Sequence, residues 1–457
     1  MAINYERIRY INRGLTAAMR IWTNALGLKF DCWHSCTNWC VYCYARYLDK
    51  FALERQHKVF DPASVRLEKI DKVKKQMEKI FDLGQYDETN FIDWAIRNRL
   101  AIECGTMGEP FQENDLTFRS TYGFLQILNH YDYPLYVNTK ANLLVKSPEY
   151  FNLLTSLKHL IVDVTLPGLD DEALKKWEPR APLASERFEL VKRLVDKGAN
   201  VIISCRPLVP GVTEVNFENY LERLIGAGIK GIHLRPMFIM PNMRSTNRTF
   251  FDKVIKENNF EWAKKMYQWR NNAVFNDLIK RGLPICEKAG IALTGSHRYF
   301  FRLQGNWNKC DYNLMPNFKD HLFQYTIPTL LAGVYKNRDK EQTLKFKEVM
   351  PHIEDKNFKI TAALSPFFNP TCDDMAIRGT GYLSLKTMIK ENFWGSWRSG
   401  IKSGVGQRGI VSSLYDIHLL IKNKQPVRDE EGNVIYKYTP PKERFDLDDA
   451  NNKKIEV

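Results

Sequence analysis

Through the first half of the chain, hydrophobic positions fall into short apolar runs separated by amphipathic stretches. The runs at 26–31, 100–104, 134–139, 159–165, 200–205 and 231–234 have the length and β-branched content of buried strands. Between them the apolar spacing becomes helical. Thr117 is placed to cap a helix running to about His130, and Ser147 with Pro148 supplies a cap and a first-turn proline for a helix over 150–157. Ser185 starts another that stops at Gly198. The clearest stripe is Phe217, Tyr220, Leu221, Leu224 and Ile225, closed by Gly226-Ala227-Gly228 just before the sixth run.

This alternation predicts an α/β fold of six βα units, a partial (β/α)6 barrel of TIM type, open on one side, with its chemistry at the C-terminal ends of the strands. Residues 1–244 form this barrel, and the insertion at 44–99 reads as largely helical. From about 245 the alternation fades, so 245–439 is expected to be a mixed, largely helical accessory region and 440–457 a polar tail. No internal repeat is found.

Composition changes this picture in one respect. Hydrophobic residues at 44% and charged residues at 26% are globular values and exclude a disordered or fibrous chain, but 67 Lys+Arg against 53 Asp+Glu leave a net charge of +14. Such an excess favours a polyanionic partner. No apolar run approaches the roughly 18 to 20 residues that span a bilayer, and the start lacks a basic segment followed by an apolar one. A cytoplasmic protein that does not enter a membrane is the expectation; oligomeric state is not readable.

Nine cysteines are too many to ignore and odd in number, and four crowd between Cys32 and Cys43. Just after the first strand, Cys36-x3-Cys40-x2-Cys43 places three thiols in one loop. Such a loop can wrap three irons of a [4Fe–4S] cube and leave the fourth iron open. The alternative is a structural zinc site completed by Cys32 or His34. The segment, with Tyr42 before the last cysteine, resembles the signature of the radical S-adenosylmethionine (SAM) enzymes. That resemblance implies a cluster that binds SAM and cleaves it reductively to a 5′-deoxyadenosyl radical, with a reductase such as flavodoxin or ferredoxin as electron donor.

Further segments fall where the resemblance needs them. Gly105-Thr106-Met107-Gly108-Glu109-Pro110 follows the second strand and looks like the family's glycine-rich motif, which implies that Gly108 and Glu109 receive the methionyl ammonium of SAM. Asn138, Thr139 and Lys140 end the third strand, Asp163 and Thr165 the fourth, and Arg206 follows the fifth, so these polar groups ring the barrel mouth as candidates for SAM or substrate, with helix caps and solvated loop ends as the alternative. Trp177-Glu178-Pro179 leading to Arg187, then Cys205 to Thr213, then Gly231 to Pro236 ending on Leu234-Arg235, resemble the spore photoproduct lyase and DNA-repair-photolyase-like branch. This likeness runs from about Phe30 to Met240. It implies cofactor contacts at Arg187 and Leu234.

In the lyase a cysteine near the place of Cys104 returns a hydrogen atom to the substrate radical, which makes Cys104 a candidate donor and Cys205 a second; the plain alternative is packing as small buried hydrophobes. Cys286, Cys310 and Cys372 are widely spaced and read as structural thiols, with a second cluster as the alternative. Lys386, Lys390, Trp394, Trp397, Arg398, Lys402 and Arg408 interleave cations with aromatic rings, the composition of a nucleic-acid surface, to which Arg7, Arg9, Arg13 and Arg20 could add; a merely solvated face is the alternative. The sequence thus points to a radical SAM enzyme acting on DNA or RNA, by lesion repair or base modification. Its rivals are a radical SAM enzyme acting on a peptide or small molecule, and a non-catalytic zinc- or Fe–S-stabilised nucleic-acid-binding protein.

Overall fold

The structure is a computed structural model that describes residues 8–17, 26–43, 45, 65–87, 90–235, 273–295, 315, 317–322, 340–345, 359–361, 382–384, 417–423, 425–430 and 435–440. The predicted basic and aromatic stretch from Lys386 to Arg408 lies outside these residues, as do Arg7, Arg20, Cys310, Cys372 and the tail beyond 440.

The chain begins with β1 (Ile8–Ile11), β2 (Thr16–Ala17) and β3 (Leu28–Lys29). The insertion carries β4 (Val65–Glu68), α1 (Asp71–Phe81) and α2 (Phe91–Arg97). It was expected to be largely helical; its described residues hold these two helices and add one strand, β4, which pairs in parallel with β1 and joins the start of the chain to the insertion. Next come β5 (Ile102–Cys104), α3 (Asp115–Phe118), α4 (Ser120–His130), β6 (Leu135–Thr139), α5 (Asn142–Lys146), α6 (Pro148–Thr155) and β7 (Leu160–Thr165). They are followed by α7 (Asp171–Trp177), α8 (Ala184–Asp196), β8 (Asn200–Cys205), α9 (Phe217–Gly226), β9 (Gly231–Leu234), α10 (Ala273–Lys288) and β10 (Ala292–Gly295).

All six predicted strands form, and the main sheet runs β10-β9-β8-β7-β6-β5-β3-β2. Every pairing from β3 to β10 is parallel, and only the two-residue β2 is antiparallel. A seventh parallel strand, β10, was not foreseen. It and α10 form a further helix-strand unit beyond β9, placed where the alternation had been expected to end. Among the described residues no pairing joins β10 to β2. In the region from 245 to 439, expected to be mixed and largely helical, the described elements are α10, β10, a 3-10 turn at Lys319–His321 and seven short strands from Gln342–Leu344 to Tyr436–Tyr438.

Three helix starts differ from the sequence expectation. Thr117 does not cap a single helix: Arg119, at φ 54°, breaks the segment into α3 and α4. Ser147 precedes Pro148 as expected but makes no side-chain cap bond. α8 starts at Ala184, where Glu186 accepts the Leu183 N–H at 2.7 Å and Ser185 instead binds Asp171.

Side chains alternate across each strand, which gives the sheet two unlike faces. The helix-covered face carries Val137, Val162, Val164, Val201, Ile203, Ile232 and Leu234, all essentially buried. Each such Val, Ile or Leu contributes about 1.5–3 kcal/mol relative to exposure. The opposite, inner face is apolar near its base, where Leu26, Ala101, Tyr136, Ile161 and Ile202 meet Met315, Phe318 and Leu322. Toward the C-terminal strand ends it turns polar, with Glu103, Asn138, Asp163, Ser204 and His233 buried there. No helix among the described residues is long and apolar enough to cross a membrane.

Candidate active site

Beyond β3 the chain enters the cysteine loop, whose shape is imposed from four directions. His34 N–H donates to the Arg66 carbonyl and Glu68 N–H to the Cys32 carbonyl, both at 2.9 Å, so β4 holds one side. Gln112, fully buried, accepts the Thr37 N–H at 3.2 Å and donates to the Ser35 carbonyl at 3.4 Å. Val41 N–H donates to the Trp177 carbonyl at 2.9 Å, and Asn142 donates to Asn38 at 2.7 Å. Gly108 backs directly onto the loop: a Cβ there would stand 2.4 Å from the Trp33 carbonyl oxygen and 2.6 Å from that of Ser35. Glycine at 108 is thus required by loop-against-loop contact, independently of any ligand.

Within this frame Cys36, Cys40 and Cys43 come together, each of the first two lying within electrostatic reach of the other cysteines of the triplet. Burial pushes the Cys36 thiol up to about 12, with Cys43 and Glu109 adding to the rise, while backbone N–H groups of Asn38 and Glu109 face its sulfur and favour the thiolate. Burial likewise raises Cys40, and the nearby Lys140 cation opposes it. The two proposed fourth ligands turn elsewhere. His34 Nε2 lies 3.1 Å from Glu68, and the Cys32 thiol packs against Cys104 in the core. A closed four-ligand zinc site is therefore not built from these residues.

The donor set suits a cluster. Three soft sulfurs with N–H groups directed at one of them match iron–sulfur ligation. Among the described residues no three His, Cys, Asp or Glu side chains surround a single ion.

Behind the loop lies a buried ionic network. Glu178, 2% exposed, receives hydrogen bonds from Tyr42 Oη and from Lys140 Nζ at 2.8 Å, and Lys140 Nζ also donates to Tyr42 Oη at 3.0 Å. Arg187, 1% exposed, sets Nη2 2.8 Å from Glu178 Oε2 and donates Nη1 to the Thr165 carbonyl at 2.6 Å. The Arg187–Glu178 approach is close but not aligned as a hydrogen bond, which leaves Glu178 Oε2 and Arg187 Nε without such a partner among the described residues. Burial opposes ionisation of Glu178, but Arg187, Lys140 and the hydrogen bonds from Lys140 and Tyr42 outweigh it and hold the carboxyl below the usual range.

Glu109 is also enclosed. It accepts Thr139 Oγ1, the Lys140 N–H at 2.6 Å and the Phe111 N–H at 3.1 Å, so it ties the motif loop to the end of β6. Burial raises its carboxyl, with these bonds pulling the other way. Asp31 clasps the same loop through the Thr106 N–H at 2.6 Å and Thr106 Oγ1 at 2.7 Å.

On the inner face Arg206 links three strands. Its Nη2 donates to Asn138 at 2.7 Å and Asp163 at 2.9 Å, and its Nε to Ser204 at 2.6 Å. Tyr136 Oη donates to Asp163 Oδ2 at 2.7 Å, and Asp163 Oδ1 is buried with no hydrogen-bond partner among the described residues. That oxygen is ready to receive a donor.

The structure thus assembles Cys36, Cys40, Cys43, Tyr42, Glu109, Thr139, Lys140 and Arg187 on one side and Asp163 with Arg206 on the other, joined where the Thr165 carbonyl meets Arg187. It removes three residues from the mouth. Cys104 shares the helix-covered face with Ile102 and lies against Cys32; Cys205 bonds Tyr220 Oη at 2.8 Å; Leu234 packs in the same layer. Strand parity points both thiols away from the inner face, so the expectation of hydrogen-atom donation gives way to packing. Cys286 is buried in the core on α10. Sequence reasoning missed Gln112 altogether and gave Glu178 no role beyond its motif, whereas Asn138, read from the sequence as a strand-end polar group, does lie beside Arg206.

The sequence matches no protein-family model, and no curated protein is significantly similar. Solved structures with a similar layout include Streptococcus suis SuiB bound to S-adenosylmethionine, at 11% identity over 61% of this chain and 52% of that one, with a TM-score of 0.37. Spore photoproduct lyase complexed with dinucleoside spore photoproduct matches at 11% identity, covering 62% of this chain and 81% of that one, TM-score 0.37. The radical S-adenosylmethionine methyltransferase TsrM from Kitasatospora setae matches at 13% identity over 47% and 36%, TM-score 0.30. The chain spans about half the length of SuiB.

Proposed function

We infer that the chain is a radical SAM enzyme in which Cys36, Cys40 and Cys43 hold a [4Fe–4S] cluster. The observation that carries this reading is the convergence of three thiols from one loop while both candidate fourth ligands, Cys32 and His34, are engaged elsewhere. Cys36, Cys40 and Cys43 would hold the cluster, which when bound would supply the electron for reductive cleavage of SAM and so the radical chemistry of hydrogen abstraction.

The chain's own residues prepare the site. N–H groups of Asn38 and Glu109 stabilise the Cys36 sulfur, and Lys140, held by Glu178 and Tyr42, sets a cation beside Cys40. Asp163 and Arg206 offer an acceptor and a guanidinium at the mouth of the inner face. A nucleic acid is the proposed substrate class, supported by the net charge of +14.

The test is anaerobic reconstitution followed by reduction with dithionite in the presence of SAM. Iron and sulfide bind in cluster stoichiometry and 5′-deoxyadenosine forms; Cys40→Ala abolishes both. Stoichiometric zinc without iron after anaerobic purification, or equal 5′-deoxyadenosine from Cys40→Ala, refutes the reading.

A further inference from the structure

Beside the cysteine loop is a basic surface that neither the thiols nor the inner face uses. β4 borders the loop, with Arg66 bonded to His34, which stands two residues before Cys36. Two residues beyond β4, α1 buries Val73, Met77 and Ile80 and turns its other side outward. Lys72 and Lys75, one turn apart on that side, are exposed. The Lys72 stem packs over Gly14, 2.9 Å from where a Cβ would stand, which sets it next to the exposed Arg13. Lys69, exposed as well, covers the ring of Tyr10 at 5.4 Å. Against these four cations stands the exposed Asp71, while Lys74 and Lys79 are matched by Glu78 at 3.6 Å and Asp93 at 2.5 Å.

We propose that Arg13, Lys69, Lys72 and Lys75 form the docking surface for an acidic one-electron carrier protein that charges the cluster; this rests on the radical SAM reading above. Complementary charge steers such encounters and raises their rate, and contact here seats the carrier against the loop that bears the three thiols. Each encounter passes one electron: the carrier is oxidised by one equivalent and the cluster reduced by one, with no bond made or broken. A nucleic acid suits the surface less. The exposed Tyr10 ring, the natural stacking platform, is already covered by Lys69, and among the described residues the cations form a compact group.

The test compares reconstituted wild-type protein with Lys72→Glu/Lys75→Glu, using a flavodoxin as the probe. Both positions are exposed and lie in or just after the first turn of α1, where acidic residues are tolerated. Flavodoxin affinity at low salt falls by at least about tenfold, and the difference shrinks as salt screens the charges. Turnover driven by reduced flavodoxin slows, while dithionite-driven turnover and iron content stay at wild-type levels. Unchanged flavodoxin binding overturns the proposal, as does an equal slowing with dithionite. Loss of single-stranded DNA or RNA binding with flavodoxin binding intact overturns it in favour of a nucleic-acid surface. Failure of dithionite-reduced wild type to form 5′-deoxyadenosine refutes the radical SAM reading instead.

Discussion

Replacing Glu178 by glutamine keeps the side chain's shape and removes its charge. Of its three partners, Lys140 is 13% exposed and Tyr42 is partly buried, so both regain some solvation, but Arg187 is 1% exposed and keeps only the Thr165 carbonyl. Breaking a buried ion pair from one side costs about 3–5 kcal/mol, because the stranded charge stays desolvated. The imperfect alignment of the Arg187 contact places Glu178→Gln at the lower end, about 3 kcal/mol. With a urea m-value of roughly 3 kcal/mol/M, the unfolding midpoint drops by about 1 M. Glu178→Leu/Arg187→Met removes both charges and recovers most of the loss, since an apolar pair of similar volume is often neutral or better. The carboxyl is held below its usual range, so the ion contributes fully above the unfolded-chain value, about 4.3, and its contribution is lost as pH falls through the lower folded value. The gap between wild type and Glu178→Gln therefore narrows in acid. A midpoint within about 0.2 M of wild type at pH 7, or a double variant as unstable as the single one, refutes a buried ion pair as the anchor of this network.

Two further substitutions separate packing from chemistry. Gly108→Ala drives a Cβ into the Trp33 and Ser35 carbonyls, so the cysteine loop must shift and iron content after reconstitution falls by half or more while the far-UV spectrum is kept; full iron retention disproves the loop contact. Cys104→Ala removes a buried sulfur and costs about 1–2 kcal/mol by urea titration, with 5′-deoxyadenosine yield and product distribution unchanged; an altered product would return Cys104 to the inner face.

Strands were legible because buried parallel strands announce themselves as short continuous apolar runs. Asn200–Cys205 and Gly231–Leu234 form with the bounds the pattern predicts. β10 was hidden because α10 carries Pro284 in its interior, a residue that ordinarily breaks a helix, and so disguised the last helix-strand unit. The split at Arg119 depends on one residue's left-handed backbone, which side-chain patterning does not encode. The cysteine triplet was visible as local spacing. Its supports were not: Tyr42 and Glu178 are 136 residues apart, and Gln112 looks like any polar loop residue until the loops are brought together. The helix-side placement of Cys104 was recoverable from Glu103, whose polarity marks the opposite, inner face.

The distance in sequence between Tyr42 and Glu178 also sets a timetable. Translation at roughly 5–20 residues per second needs about 7–27 s to extend the chain across those 136 residues. Throughout that interval the ribosome-borne Cys36, Cys40 and Cys43 lack the Trp177 and Glu178 contacts that later enclose their loop. Assembly factors delivering iron and sulfide during synthesis would meet accessible thiols on a nascent chain, whereas after release they would have to prise open a finished loop. Slowing or speeding elongation between these two points should therefore change the fraction of molecules that carry a cluster, with no change in amino-acid sequence.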